Sequence, residues 1–530
     1  MKKNSRAPIM DALLTYNQKG QVSMHVPGHK DGAVYREKAQ FYNAYEDAYR
    51  RFGDLLQYDV TEVEGTDDLH QPEEAIKEAQ ELAAACFGSE ETHFLIGGST
   101  VGNIASILAC CMKQGDLIIV QRNVHKSVLN GLRMAGARAV FVSSREDKKT
   151  GLVSGPSVDV IQEALERYPE AKAVFVCNPN YYGMGIELKP LAELAHQYGV
   201  PLIVDEAHGA HYGFHPKLPQ SALQAGADLV IQSTHKMLAS MTMSAMLHVQ
   251  GNLVQRKRLK KILTMIQSSS PSYPLLASLD LSRLWIEESG SALFEEGLKA
   301  VNQIREALHN KPLWGVVTKD ITMESGSYNG CDTWDPFKLV IWDRTGHWSG
   351  YHLLEQLQKA GCVAEMADLQ YVVLILTLAD TCHEAEKVLQ ALKQLENIHP
   401  ISAISSTDFK VRDSEEALLA CKDMLQSKEM DFSSIHNQSV FSRLKVTAPI
   451  TFSLYEDERN VMTLPVDEIA GYEAAEPVVP YPPGIPLIIQ GETLTERHIA
   501  LLKQLANAGA KCQEVMDTSL RSLRVYEKND

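Results

Sequence analysis

Four groups able to do chemistry recur at one kind of place in this sequence, just after a short apolar run. Lys236, in Ser233-Thr234-His235-Lys236, follows Asp228-Leu229-Val230-Ile231. Asp205 follows Pro201 to Val204, His125 comes shortly after Leu117 to Val120, and Gly97-Gly98-Ser99-Thr100 follows His93 to Ile96. A lysine so placed is either a surface residue on a turn or a nucleophile held in a pocket. The Gly-Gly-Ser-Thr run lies where a strand meets a helix, so backbone N–H groups, the helix dipole and two hydroxyls can face an anion. The bland alternatives are an ordinary helix cap at this run and a cap or surface role for His125.

The elements that must position these groups are legible as a pattern. Glu73 to Phe87 and Asn103 to Met112 have helical spacing. His93 to Ile96, Leu117 to Val120, Ala139 to Val142, Ala173 to Cys177, Leu202 to Val204 and Leu229 to Ile231 are short apolar runs between helices or turns. Buried strands alternating with helices predict an α/β fold, a mostly parallel sheet covered on both faces. Ligands bind at the carboxyl ends of such strands, so Ser99, His125, Asp205 and Lys236 are expected to converge. An anion site, an acid, a ring and an amine on one sheet edge match the needs of pyridoxal 5′-phosphate (PLP). Its phosphate takes a helix N-terminus, its aldehyde an amine, and its pyridine nitrogen a carboxylate.

At 530 residues the chain is long enough for two or three domains. The expected division is an N-terminal arm over 1–70, a large cofactor-binding domain over 71–275, a small α/β domain over 276–400 and a C-terminal α+β domain over 401–530. The Gln267 to Pro274 stretch, QSSSPSYP, bridges into the small domain, where Lys338 to Ile341 and Tyr371 to Leu378 read as strands. Gly350 to Lys359 and Glu384 to Leu395 read as its helices. A polar stretch from Ser402 to Asp413 leads to the last part, with its turn-dense Tyr481-Pro482-Pro483-Gly484-Ile485-Pro486.

A net charge of -16 argues against a nucleic-acid partner. No apolar run nears the ~20 residues that cross a bilayer, and no secretory signal opens the chain, so no membrane partner and a cytoplasmic location are expected. The nine cysteines lack zinc-site spacing and read as reduced core residues. Asp205-Glu206-Ala207-His208 spells the DEAH box of some helicases, but no phosphate loop precedes it. His208, His211 and His215 could ligate a metal only if their segment folds back as a loop, which makes a zinc hydrolase the alternative of different mechanism; no metal is expected.

Taken in order, these motifs resemble the Orn/Lys/Arg decarboxylase family of fold-type-I PLP enzymes, in a short form. The resemblance runs from His25-Val26-Pro27-Gly28-His29-Lys30 and Gly65-Thr66-Asp67-Asp68-Leu69-His70 through Gly98-Ser99-Thr100, Asn123-Val124-His125-Lys126-Ser127 and Asn178-Pro179-Asn180-Tyr181-Tyr182-Gly183. It continues with Asp205 to Gly209, Ser233 to Lys236, Ser270 to Tyr273, the YPPGIP segment and Gly491-Glu492. It implies that Lys236 forms the Schiff base with the cofactor and that Asp205 pairs with the pyridine nitrogen. It implies that His125 stacks on the ring, that Gly98, Ser99, Thr100, Ser233 and His235 hold or border the phosphate, and that His208 lies in the cofactor site. Catalysis would rest on Lys236, His125, Asp205 and His235, and Glu365 would face the distal cation of a basic amino acid.

The implied reaction is α-decarboxylation of arginine, lysine or ornithine to agmatine, cadaverine or putrescine and CO2. The implied assembly is a homodimer or tetramer with the active site at the subunit interface, where Glu365 or the Pro271 to Tyr273 loop could serve the neighbouring subunit. Only some two dozen residues precede HVPGHK, so the response-regulator-like domain of the large family members is not expected. Asn180, His208 and Gly471-Tyr472-Glu473 depart from the large enzymes' pattern. The rival is another fold-type-I PLP enzyme, such as an aminotransferase.

Overall fold

The computed structural model describes residues 5–38, 43–147, 149–309, 311–318, 330–400, 445–455 and 459–527. The Ser402 to Asp413 stretch lies outside the described residues. The large sheet takes up seven strands in its first part: β1 (Glu91–Leu95), β2 (Leu117–Gln121), β3 (Arg138–Val142), β4 (Val174–Cys177), β5 (Leu202–Asp205), β6 (Leu229–Gln232) and β7 (Ala245–Val249). Their spatial order is β1-β7-β6-β5-β4-β2-β3. The pairs from β6 through β3 are parallel, while β7 lies antiparallel between β6 and β1.

Both faces are covered, and β2 shows why its sequence is an unbroken apolar run. Leu117 and Ile119 enter the core on one face, and Ile118 and Val120 enter the core on the other. The helix after β1, α1 (Gly98–Cys110), begins five residues earlier than the spacing from Asn103 predicts. Gly98 adopts φ +72° and its N–H bonds to Met243 O, so the small residues turn directly from strand into helix. The Gly-Ser-Thr run is therefore the first helical turn itself. The helix after β2 is α2 (Lys126–Ala135), and a single turn, α3 (Thr234–Met237), follows β6.

A long helix, α4 (Tyr273–Ser289), leads to a second, antiparallel sheet of β8 (Trp314–Val316), β9 (Lys338–Asp343), β10 (Met366–Ala367) and β11 (Tyr371–Ile375), in the order β10-β11-β9-β8. Its helices span Gly350–Lys359 and Cys382–Ile398. The last part adds β12 (Ile450–Thr451) to the β3 edge of the large sheet and builds a small core of its own around Ile469, Val478, Ile488 and Val525. Cys382 is exposed at a helix start and so departs from the core reading of the cysteines, whereas Cys111, Cys331 and Cys512 are buried. Among the described residues no helix is long and apolar enough to cross a membrane.

Candidate active site

One cavity of about 520 Å³ opens at the carboxyl ends of the parallel strands and is lined by all the predicted site residues: Gly98, Ser99, Thr100, His125, Asp205, His208, Ser233, His235, Lys236 and Glu365. The topology explains the convergence of all of them but Glu365, which precedes β10, because each of the others ends a strand or lies in the segment after one. Asp205 is the last residue of β5, and Lys236 sits on α3 just beyond β6.

Asp205 is buried, and burial raises its carboxyl above the usual range against the pull of its neighbours. Its Oδ2 accepts from Asn103 Nδ2 at 2.7 Å and its Oδ1 from the Ala207 N–H at 3.1 Å. The second N–H of Asn103 reaches Ser127 Oγ at 2.9 Å, and Ser127 Oγ lies 2.8 Å from His125 Nδ1. His125 caps α2, its Nδ1 also accepting the Ser127 N–H, so the neutral ring carries its proton on Nε2. Burial, then Lys236 and Lys126, push the His125 imidazole down to about 4. The cap and the site role are thus the same residue.

Ser99 Oγ and Ser233 Oγ lie 2.6 Å apart at the start of α1, whose first turn receives no side-chain cap. His235 donates from Nδ1 to Ser244 O at 2.9 Å, and burial lowers its imidazole. In the neutral ring Nε2 is therefore a proton acceptor. Lys236 is largely buried, which lowers its amine, with Asp205 and then Glu365 opposing. Its Nζ stands 3.1 Å from His208 Nε2 and 5.3 Å from the centre of the Tyr181 ring.

Glu365 reaches the cavity of its own chain, next to β10. That segment is tied down by Tyr182, whose hydroxyl donates to Asp368 Oδ2 at 2.6 Å. Asn180 lines the cavity, yet its side chain is engaged with the N–H groups of Tyr182 and Met184 and with Val153 O. His211 pairs with Asp335 and His215 with Glu295, so the three closely spaced histidines have separate partners. Tyr273, in the Pro271 to Tyr273 loop, is buried and bonds to Asp67 O within the same chain.

The structure adds residues that sequence reasoning missed. Asn103 and Ser127 link Asp205 to His125, Tyr181 packs on His208 with ring centres 4.3 Å apart, and Lys338 lies 3.2 Å from His208 Nδ1. The YPPGIP segment closes the cavity over His125. Gly484, at φ +85°, leaves space there, since a Cβ would come within 3.1 Å of His125 Nε2. Arg122 holds this segment through Pro486 O, Leu487 O and Glu492.

The donor set fits PLP: uncapped helix N–H groups with two hydroxyls for a phosphate, a buried carboxylate for a ring nitrogen, and a buried amine for an aldehyde. The Orn/Lys/Arg decarboxylase major-domain pattern matches residues 7–384, and that family's C-terminal domain matches residues 445–513. The chain belongs to the Orn/Lys/Arg decarboxylase family. Its activity class is accordingly decarboxylation of a basic amino acid. It is 36% identical over 521 residues to the uncharacterized protein YaaO of Bacillus subtilis, covering 98% of both chains. It is 32% identical over 524 residues to the arginine decarboxylase of Bacillus subtilis, again covering 98% of both. In fold it is similar to the Francisella novicida lysine decarboxylase LdcF, with a TM-score of 0.76 at 20% identity over 99% of this chain and 82% of that one.

Proposed function

We propose that the chain is a PLP-dependent α-decarboxylase with Lys236 as the cofactor's covalent anchor and arginine as its substrate. The observation that carries the cofactor reading is the placement of Lys236, Asp205 and the Ser99–Ser233 hydroxyl pair in one cavity at the strand ends. Arginine is favoured by the end-to-end similarity to a relative of that name.

Bound there, PLP supplies the electron sink for the pair released when the Cα–carboxylate bond breaks. Asp205, held by Asn103 and the Ala207 N–H, would keep a proton on the ring nitrogen through a charge-assisted bond. Ser99, Thr100, Ser233 and the first turn of α1 would hold the phosphate, and His125 would stack on the ring. Glu365 faces the substrate's distal cation. Lys236 Nζ, or His235 once its Nε2 has taken up a proton from solvent, would return a proton to Cα after carbon dioxide leaves, so turnover consumes one proton. The reading includes a homodimer, for which Val22, Met24 and Val26, apolar and exposed in the N-terminal segment, offer a surface.

The test is to incubate PLP-loaded protein separately with arginine, lysine and ornithine, each with and without a keto-acid acceptor, and to identify the products and measure CO2. Agmatine from arginine, abolished in Lys236→Ala, is expected. A keto-acid product formed only with an acceptor present would make the chain an aminotransferase and overturn the reading.

A further inference from the structure

Tyr181 lines the cavity, and the chemistry above does not employ it. It follows β4 on a loop pinned at both flanks. The Asn180 side chain accepts the Tyr182 and Met184 N–H groups and donates to Val153 O. The Tyr182 hydroxyl donates to Asp368 Oδ2, and Gly183 O accepts the Asp335 N–H. The Tyr181 ring is thereby set against His208, with ring centres 4.3 Å apart at 57°, and Lys236 Nζ stands over it, 5.3 Å from its centre. Its hydroxyl makes no hydrogen bond among the described residues, so the ring carries these contacts.

Lys236 Nζ is thus held in two ways, by His208 Nε2 at 3.1 Å and by the Tyr181 ring. Among the described residues no carboxylate forms an ion pair with it, and Asp205 is engaged by Asn103 and the Ala207 N–H. The difference matters for a proton donor. A cation within about 6 Å of a ring centre is drawn to the negative face of the π system, and that face does not take the proton. A carboxylate in the same place would hold the ammonium through its N–H groups and compete for the proton.

The proposed reaction sets Nζ free. As substrate and lysine exchange their bonds to the cofactor carbon, the substrate ammonium gives up two protons and Nζ gains two. Lys236 therefore departs as an ammonium on a flexible four-carbon stem, and it must stay near Cα until the carboxylate has gone.

We propose that Tyr181 is a positioning residue whose ring face receives the released Lys236 ammonium and holds it as the proton donor to Cα. Carbon dioxide leaves without the electron pair of its bond, and that pair takes a proton from Nζ to form Cα–H. The neutral Nζ then displaces the product amine from the cofactor carbon. The inference rests on Lys236 being the anchor, and it selects Lys236 over His235 as the donor. An Nζ that is not held lets the pair take its proton at the cofactor carbon instead. Water then cleaves the bond between Cα and nitrogen, leaving pyridoxamine 5′-phosphate and an aldehyde.

The test uses PLP-loaded full-length protein carrying ¹³C at lysine Cε, with the Lys236 signal assigned by Lys236→Arg, before and after saturation with agmatine, the proposed product. Borohydride reduction and peptide mass show whether the cofactor has left Lys236. On release the Lys236 ε-methylene signal should move upfield, the ring-current effect of a proton over an aromatic face, in wild type and Tyr181→Phe but not in Tyr181→Leu. With arginine, Tyr181→Leu should lower kcat roughly twofold to thirtyfold and accumulate pyridoxamine 5′-phosphate, and Tyr181→Phe, which keeps the ring, should do less of both. No upfield move on release in wild type, a loss in Tyr181→Phe equal to that in Tyr181→Leu, or no pyridoxamine 5′-phosphate from Tyr181→Leu overturns the proposal. Wild-type protein whose cofactor is never bonded to Lys236, or stays there under agmatine, sinks the anchor-and-substrate reading and this inference with it. If Tyr181→Leu does not fold, the wild-type spectra still decide: an upfield move on release supports the proposal, and its absence overturns it.

Discussion

Asn103 spends both of its side-chain N–H groups on the site, one on Asp205 Oδ2 at 2.7 Å and the other on Ser127 Oγ at 2.9 Å. It joins Asp205, proposed to pair with the ring nitrogen of the cofactor, to His125, proposed to stack on that ring. Replacing it with Leu leaves a buried carboxylate short of one donor, a loss of about 1.5–3 kcal/mol for a charged hydrogen bond. Asn103→Leu should therefore lower kcat by roughly tenfold to a hundredfold and weaken cofactor retention. Ser127→Ala, which leaves the Asp205 bond intact, should do less. Equal effects from the two variants, in steady-state kinetics and cofactor dissociation rates, would locate the role of Asn103 elsewhere.

Glu365 is a carboxylate in the cavity on a segment anchored by the Tyr182–Asp368 bond. A charged hydrogen bond to the distal group of a basic substrate is made before and during bond cleavage alike. Glu365→Gln should raise KM about tenfold to a hundredfold with little change in kcat. A fall in kcat at constant KM would show instead that Glu365 acts in the chemical step.

How far the sequence carried depended on whether a residue's role was local. β2, β4, β5 and β6 were visible because both of their faces are apolar, and the site residues were visible because each follows such a run. β7 was not, since His248 interrupts its apolar letters; that histidine is fully buried and satisfied by Thr92 and Gln232. Asn103 and Lys338 were hidden for another reason. Asn103 meets Asp205 across 102 positions and Lys338 meets His208 across 130, and nothing in their own neighbourhoods marks them. Lys338 showed only as the first letter of a strand.

Arg122 ties the C-terminal part to the site, donating to Pro486 O, Leu487 O and the Glu492 carboxylate at 2.7–3.0 Å. The guanidinium side chain is only 6% exposed and the Glu492 side chain 15%. Removing one partner of a buried pair leaves the other charge uncompensated, at about 3–5 kcal/mol. Arg122→Met should lower the unfolding midpoint and expose the Tyr481 to Pro486 segment to limited proteolysis before the large domain is cut. Proteolysis that begins elsewhere would show that this clamp does not hold the segment.

Glu206 lies beside Asp205 but beneath the sheet edge, fully buried, accepting from the Ala222 N–H at 2.8 Å and from Gln232 Nε2 at 2.7 Å. Burial raises it to about 8, the two hydrogen bonds opposing and Asp205 adding to the rise. The folded chain therefore holds a proton that the unfolded chain, with an ordinary glutamate near 4.3, has released. The stability this proton confers is fully present below about pH 4 and is lost as pH rises toward about 8, with a slope of up to about 1.4 kcal/mol per pH unit. Glu206→Gln removes that titration. Unfolding free energies of wild type and Glu206→Gln should diverge steadily between about pH 5 and pH 8, wild type losing stability relative to the variant, and should run parallel above that. Curves parallel throughout the interval would mean that Glu206 is ionised in the folded protein.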